Sequence, residues 1–429
     1  MANKTTQQKI RQGYKETRFR LIPDDWQIKK LSEVSEVLLS NVDKKTSDNE
    51  TPVRLCNYTD VYGNEYIQND MPFMEVTATG NEIAKFSLKR GDVIITKDSE
   101  EREDIAVPAY VMEDLENVLC GYHLAVIRPN AKVIDGLYLA KILSLHEINY
   151  HFVRQANGVT RFGIGISSIK NACIYLPPLR EQKRISSLLM TWNQAIDNTE
   201  KLILAKRKLK KGLMQQLLTG KRRFKGFIKE PWQDYHLGEL FKERVETGRE
   251  DLPLLAITSD RGVINREEIE KKDSSSEDKS KYKRIVPGDI GYNTMRMWQG
   301  VSAISALEGI VSPAYTICIP QKSRIYGLFA AYLFKYPPIV NLFYRYSQGL
   351  VSDTLSLKLP LFSQIKVTIP QLAEQKQIAS VLADCDKEIH SVEQKLELLK
   401  QQKRGLMQKL LTGQIRIKGF GSDTEKHHA

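Results

Sequence analysis

The side chains best suited to chemistry are five cysteines and seven histidines, and neither set is spaced for it. No two of Cys56, Cys120, Cys173, Cys318 and Cys385 lie within four residues of each other. They offer no zinc-type ligand pair, and an odd, dispersed set makes a poor disulfide framework. They read as small buried thiols in a reducing compartment. The histidines form no His-Glu-x-x-His helix pair, and His123 and His236 read as hydrogen-bonded residues rather than metal ligands. There is no phosphate-cradling Gly-x-x-x-x-Gly-Lys-Ser/Thr loop and no glycine-rich turn for a nucleotide cofactor. The chain is therefore expected to be non-catalytic, with no catalytic residues, no metal and no cofactor of its own.

Pro23-Asp24 followed by Asp43-Lys44-Lys45 has the carboxylate–lysine order of a metal-dependent nuclease. Matches this short arise by chance in most chains of this length, and ordinary surface residues are the preferred reading. The Asn/Asp-Pro-Pro-Tyr signature of amino-methyltransferases and the acidic boxes of helicases are both missing.

With 429 residues, 41% hydrophobic and 27% charged, the composition is that of a globular protein, and the length allows two or three domains. No apolar run approaches the roughly 18–20 residues of a membrane span. Residues 1–15 are polar and lack the apolar core of a secretory signal, so a soluble, cytoplasmic chain is expected. The net charge of +12 favours a polyanion partner. It is unevenly spread: −2 over residues 1–176, +7 over 177–221, +5 over 222–369 and +2 over 370–429. No half is a basic tail, so any nucleic-acid contact must come from shaped patches.

The elements that would hold such patches are written twice. Leu176–Phe227 and Ile369–Phe420 align without a gap at an offset of 193, with about 23 of 52 positions identical. Each copy reads as a helix of about 40 residues, or about 60 Å. Pro178 and Pro370 stand near the starts, where a missing N–H costs little. Gly220 and Gly413, each after Leu-Leu-Thr, supply the left-handed stop. Apolar residues recur at the 4-3-4-3 spacing of a coiled-coil seam: Ile185, Leu189, Trp192, Ile196 and Leu213 in the first copy, and Ile378, Leu382, Ile389, Leu396 and Leu406 in the second. The seam turns polar at Lys206, Lys210 and Lys403. Two helices of matched length and register can bury these stripes on each other, and an antiparallel pair would relate the halves by an approximate two-fold axis. The competing reading packs each helix inside its own half. The run Lys206–Lys211 reads as a solvated face in preference to a contact with DNA backbone or partner acids.

The segments before the helices correspond more weakly, through Trp26 with Leu31 and Trp232 with Leu237, and through Arg90-Gly91-Asp92 and Pro287-Gly288-Asp289. Short β-type runs are predicted at Val93–Thr96, Ala125–Arg128, Ile285–Ile290 and Tyr315–Ile319, and short helices at Leu137–Leu145 and Tyr326–Phe334. The fold class is α+β. The predicted order is a first globular domain 1–176, a helical spacer 177–221, a second globular domain 222–369, a second spacer 370–414 and a tail 415–429, nearly circular in arrangement. The helices agree while the middles of the globular parts differ, which suits one frame presenting two different recognition surfaces.

Pro-Pro-Leu-Arg-Glu-Gln and Pro-Gln-Leu-Ala-Glu-Gln, each opening a helix that ends Gly-Leu-Met-Gln-x-Leu-Leu-Thr-Gly, resemble the specificity subunit of type I restriction–modification systems over the whole chain. Ile95–Glu100, Ile105–Ala109 and Cys120–Ala125 resemble one recurring version of its target-recognition domain, and Met295–Gly300 with Gly309–Tyr315 another. The resemblance implies that each domain reads one half of a split DNA target while the helices fix the spacing. It implies double-stranded DNA, two methyltransferase subunits and two restriction subunits as partners. Those subunits would carry the S-adenosylmethionine, ATP and magnesium sites. A complex that only methylates, another phage-defence complex and a coiled-coil adaptor without a DNA role stand as alternatives.

Base reading calls for bidentate or stacking side chains on loops. In the first domain Lys97, Asp98, Ser99, Tyr122, His123 and the loop of Asn157, Thr160 and Arg161 are the candidates; Lys97 and Arg161 would serve equally as phosphate contacts. In the second they are Asn293, Arg296, Trp298, Gln299, Ser312 and Tyr315, with Gln348 and Ser352 in the loop that takes the place of the Asn157 loop. Trp298 reads equally as a core anchor. Leu188, Leu202, Val381 and Leu398, apolar and off the seam, are candidates for docking methyltransferase helices.

Overall fold

The computed structural model describes residues 12–269, 278–351 and 354–417. The chain divides into two units, residues 1–198 with 396–429, and residues 199–395. The division cuts both long helices, Leu179–Leu217 and Leu372–Leu411, so each unit takes the first half of one helix and the second half of the other.

The first unit is built on a five-stranded sheet in the order Ser35–Leu39, Leu124–Pro129, Val93–Thr96, Pro108–Val111, Tyr66–Ile67, antiparallel except at the last pair. Val93–Thr96 is buried on both faces, which an unbroken Val-Ile-Ile-Thr run permits. A three-stranded sheet, Val118–Cys120, Thr51–Cys56 and Met74–Ala78, lies beside it. The second unit has a four-stranded sheet, Phe241–Glu243, Tyr315–Pro320, Ile290–Asn293 and Ser302–Ile304, again with the flanked strand buried. In both units the strand leading into the long helix pairs with the strand after a tryptophan. Cys173–Leu176 pairs with Gln27–Lys30, and Lys366–Ile369 with Gln233–His236.

Several predicted elements differ in detail. The run Ile285–Ile290 is not one strand. Lys283–Ile285 and Ile290–Asn293 belong to different sheets, separated by a turn in which Gly288 is left-handed (φ 95°) and the Asp289 carboxylate accepts the Val286 N–H. The short helices span Gly136–Leu143 and Gly327–Leu333, and each is followed by a second helix that periodicity did not single out, His146–Gln155 and Pro337–Tyr346.

The long helices have 39 and 40 residues, and Gly220 and Gly413 beyond them are left-handed at φ 68° and 69°. In the first unit Ile185 and Leu189 share a core with Leu410 and Leu411, while Leu406 packs against it. In the second, Leu217 shares a core with Ile378 and Leu382, with Leu213 against it. Within each unit the two helix segments are thus antiparallel. Ile196, Ile389 and Leu396 are buried, and Trp192 is half-buried.

The run Lys206–Lys211 is solvated in part: Arg207, Lys208 and Lys211 are exposed, while Lys206 and Lys210 are half-buried, and three of the cations meet acids. Lys206 Nζ lies 2.7 Å from Glu388 Oε2, Arg207 Nη2 lies 2.6 Å from Glu393 Oε1, and Lys210 pairs with Asp386. The acids stand on the other helix, so no reading of the basic run alone finds them.

Candidate nucleic-acid interface

In each unit the central strand of the sheet ends in a cluster of polar and aromatic side chains. In the first, Val93–Thr96 runs into Lys97, Asp98 and Ser99. His123 Nδ1 stands 3.0 Å and Lys97 Nζ 3.4 Å from Asp98 Oδ2. The Tyr122 and His123 rings are 3.6 Å apart at their centroids, and Lys97 Nζ is 5.9 Å from the Tyr122 centroid. Lys97 donates its backbone N–H to the His123 carbonyl, which ties the two segments together. The Asn157 loop closes over this end. Asn157 and Gly163 exchange two backbone hydrogen bonds, Gly163 pairs with Asp98, and Ile164 donates to the Lys97 carbonyl. Asn157, Thr160 and Arg161 are exposed on the loop.

Ser99 is different: it is buried, with its hydroxyl 3.1 Å from the Tyr58 hydroxyl. It supports the cluster and does not face solvent. Tyr58 and Tyr62, stacked at 5.5 Å and 14°, border the same end of the strand, and Tyr62 donates to Asp104 Oδ2. Sequence reasoning passed over both, because they lie some 40 residues from the strand they approach.

In the second unit Ile290–Asn293 ends in the turn Thr294–Gln299. Asn293 pairs with Tyr315 across the sheet, and its side-chain oxygen accepts the Met295 N–H at 3.0 Å. Arg296 and Gln299 are exposed, while Ser312 and Tyr315 are half-buried at the next strand's entry. Trp298 is half-buried, its indole N–H donates to the Met295 carbonyl at 3.0 Å, and its ring sits 6.2 Å from that of Tyr344. Met295 and Tyr344, both exposed, were not singled out.

Gln348 and Ser356 exchange backbone hydrogen bonds and Leu357 donates to the Thr294 carbonyl, as Asn157, Gly163 and Ile164 do around Lys97. The two loops are closed by the same three-bond device. Gly158 and Gly349 sit inside it, where an added Cβ would meet the backbone of Arg161 and Thr354 at 1.9 and 2.6 Å. Gln348 is exposed; Ser352 lies outside the described residues. Beneath Trp298, Lys335 donates to the carbonyls of Gly300 at 2.8 Å and Ser259 at 3.2 Å, and burial holds its ammonium down to about 8.

Each head is locked to the helices by the signature motif. Gln182 is fully buried; its amide donates to the Pro177 and Val133 carbonyls and its oxygen accepts the Asp135 N–H. Gln375 repeats this with Pro370, Arg324 and Tyr326. Glu181 and Glu374, each 1% exposed, are gripped by Arg416 and Arg223 respectively, arginines 193 residues apart in the repeat. Further along the first unit's seam, Lys141 is buried against Glu65, which also accepts from Asn193 and Lys403. Burial and the Lys403 ammonium pull Lys141 down to about 7. The second unit has Tyr332 in the corresponding place, donating to Asp386 at 2.7 Å.

Of the residues expected to dock a partner, Leu188, Leu202 and Leu398 are exposed. Val381 is not free: it is half-buried, packed against the second unit's core. Leu204 and Leu209, more exposed than any of these, were overlooked.

The family model described as the type I restriction modification DNA specificity domain matches residues 23–205 and 315–401. The chain belongs to this family. Two relatives from Methanocaldococcus jannaschii span the specificity-family chain almost end to end. The putative type I restriction enzyme MjaX specificity subunit is 26% identical over 95% of this chain and 97% of its own length. The type I restriction enzyme MjaVIII specificity subunit is 26% identical over 96% and 99%. Among solved structures, a chain from a study of complex assembly and conformational transition of the type I R-M system has a TM-score of 0.57 at 17% identity, covering 92% of this chain and 99% of that one. The type I system S subunit from M. genitalium gives 0.51 at 15% identity, covering 90% and 96%. These two likenesses establish the specificity-subunit fold.

Proposed function

We propose that the chain is the DNA-reading subunit of a type I restriction–modification complex, each head reading one half of a split duplex target. The observation that carries this is the same scaffold used twice with different endings. Both heads close a loop over the end of a buried strand by the same three backbone hydrogen bonds. One then presents Lys97, Asp98, Tyr122 and His123, the other Asn293, Arg296, Trp298 and Gln299. Arginine suits guanine, glutamine and asparagine suit adenine, and the aromatic rings offer stacking faces.

The reaction belongs to partners. Methyltransferase subunits, two in number, supply S-adenosylmethionine chemistry, and two restriction subunits supply ATP- and magnesium-dependent cleavage. This chain binds neither cofactor and works in the cytoplasm. Each long helix contributes to both units, so engagement of one head makes that of the other intramolecular.

Anisotropy titration of duplexes, with the methyltransferase subunit present, tests the reading. Binding should fall steeply and linearly in log–log salt plots and should require both half-sites. Affinity that ignores both salt and sequence would refute it.

A further inference from the structure

Each head has a cleft at the start of its central strand, at the opposite end from the reading cluster. In the first unit the cleft, about 400 Å³, is bounded by Lys89, Arg90, Asp92, Tyr110, Ile134 and Lys183. In the second, about 460 Å³, it is bounded by Asp289, Lys322, Ile325, Leu328, Leu372 and Lys376.

The two clefts correspond in construction. Gly91 and Gly288, left-handed at φ 96° and 95°, turn the chain into the strand. Each faces the glycine that opens the head's short helix: a Cβ on Gly136 would meet the Gly91 carbonyl oxygen at 2.3 Å, and one on Gly327 the Gly288 oxygen at 3.4 Å. The buried aspartates that follow are each held by an arginine. Arg128 Nε and Nη2 both reach Asp92 at 2.9 Å, and Arg244 Nε reaches Asp289 at 2.7 Å. Arg128 lies in the strand Leu124–Pro129 and Arg244 just after the strand Phe241–Glu243, so the same carboxylate is secured by different means. Lys183 and Lys376, 193 residues apart, reach in from the start of the long helices.

The buried aspartates are neutralised, and the rims carry more cations than acids: the one further carboxylate, Asp135 in the first cleft, is half-buried and accepts from the Tyr138 N–H and the Ser186 hydroxyl. Lys89, Arg90 and Lys183 in one cleft, and Lys322 and Lys376 in the other, are exposed and form no ion pair among the described residues. The floors present apolar surface, from half-buried Tyr110 and Pro129 in one and half-buried Leu328 and Leu372 in the other.

We infer that the two clefts are one docking site present twice, each taking the same acidic segment, anchored by an apolar side chain, from one copy of a partner chain. This rests on the reading above, in which that partner is the methyltransferase subunit. A site that stays alike while the reading ends diverge meets the same surface twice. A duplex backbone fits less well. It is convex and uniformly charged, and the central strand, about 13 Å long for four residues, separates the cleft from the readers.

The test uses the full chain with the methyltransferase subunit of the same system, carrying Lys183→Glu, Lys376→Glu or both. A glutamate near a helix start favours the helix, so the fold should be undisturbed, and an unchanged melting temperature checks this. Native mass spectrometry counts bound copies while anisotropy follows non-specific duplex binding. The wild-type chain should take two copies. Each single variant should weaken one copy by about tenfold or more, and the double variant both, through added like-charge repulsion. Two copies bound at unchanged affinity by the double variant would overturn the docking site. Retained copies with weakened duplex binding and a shallower salt slope would overturn it in favour of a DNA-backbone contact. A wild-type chain that takes no methyltransferase subunit would instead sink the functional reading on which the docking site rests.

Discussion

Arg416 grips Glu181 across 235 residues of chain, with Nε 3.1 Å from Oε1 and Nη2 2.6 Å from Oε2. The carboxylate is 1% exposed and also accepts the Trp26 indole N–H at 3.1 Å. Arg223 holds Glu374 in the same way, yet the Trp232 indole N–H, the counterpart of Trp26, has no acceptor among the described residues. Removing one partner of a buried pair leaves an uncompensated charge, at a cost of about 3–5 kcal/mol. Arg223→Ala should therefore destabilise the second unit by about that much, and Arg416→Ala the first unit by less, since Trp26 still donates to Glu181. Urea unfolding followed by limited proteolysis of each unit measures the two costs, and equal or negligible costs would contradict the assignment.

Gln182 and Gln375 each bridge the start of a long helix to the head it serves. Alanine at either would strand two carbonyls and one N–H in a buried place, for about 1–3 kcal/mol. Hydrogen exchange should rise at Asp135–Tyr138 in Gln182→Ala and at Tyr326 in Gln375→Ala, each sparing the other unit. Exchange unaltered at those amides would show that the glutamines hold nothing.

Lys335 makes stability depend on pH in a definite direction. Its folded-state value, about 8, lies below the ordinary 10.5 because burial penalises the ammonium. Between those values the unfolded chain holds one more proton than the folded one, so stability rises with pH across that window. The unfolding free energy of wild type minus that of Lys335→Met should climb from about pH 8 to about 10.5. A flat or falling difference would contradict the burial account.

The reading clusters predict separable losses. Tyr122→Ala should weaken binding through the first head, and Arg296→Ala or Gln299→Ala through the second, each by about 1–3 kcal/mol. Binding competition against duplexes altered in one half-site checks this: each variant should tolerate changes in one half only. A variant that weakens all duplexes uniformly would mark its residue as a phosphate contact.

The long helices were legible because their signal is local and repeated. A seam of period 3.5, a proline near each start and a glycine after each stop all lie within one segment, and the duplication shows it twice. Val93–Thr96 was legible as an unbroken apolar run. The break at Val286–Asp289 was not, since the flanking residues are as β-prone as a single strand and only the turn at Gly288 separates them. The roles of Glu181 and Gln182 were hidden as well. The motif was visible as a family mark, but Arg416 lies at the far end of the chain. Lys206 and Lys210 looked solvated for the same reason, their acids being on the other helix. At the candidate interface the residues contiguous with the strand ends lie together as expected, except Ser99, which is buried. Tyr58, Tyr62 and Tyr344, delivered by other elements, were not.

The central claim is that two unlike heads read two halves of one target. The most direct measurement is the adenine-methylation pattern of the host genome with this chain, without it, and with residues 1–176 exchanged for the recognition domain of another family member. The account predicts a single split motif that vanishes without the chain and changes in one half only on exchange. A motif that changes in both halves, or methylation that persists unaltered when the chain is absent, would contradict it.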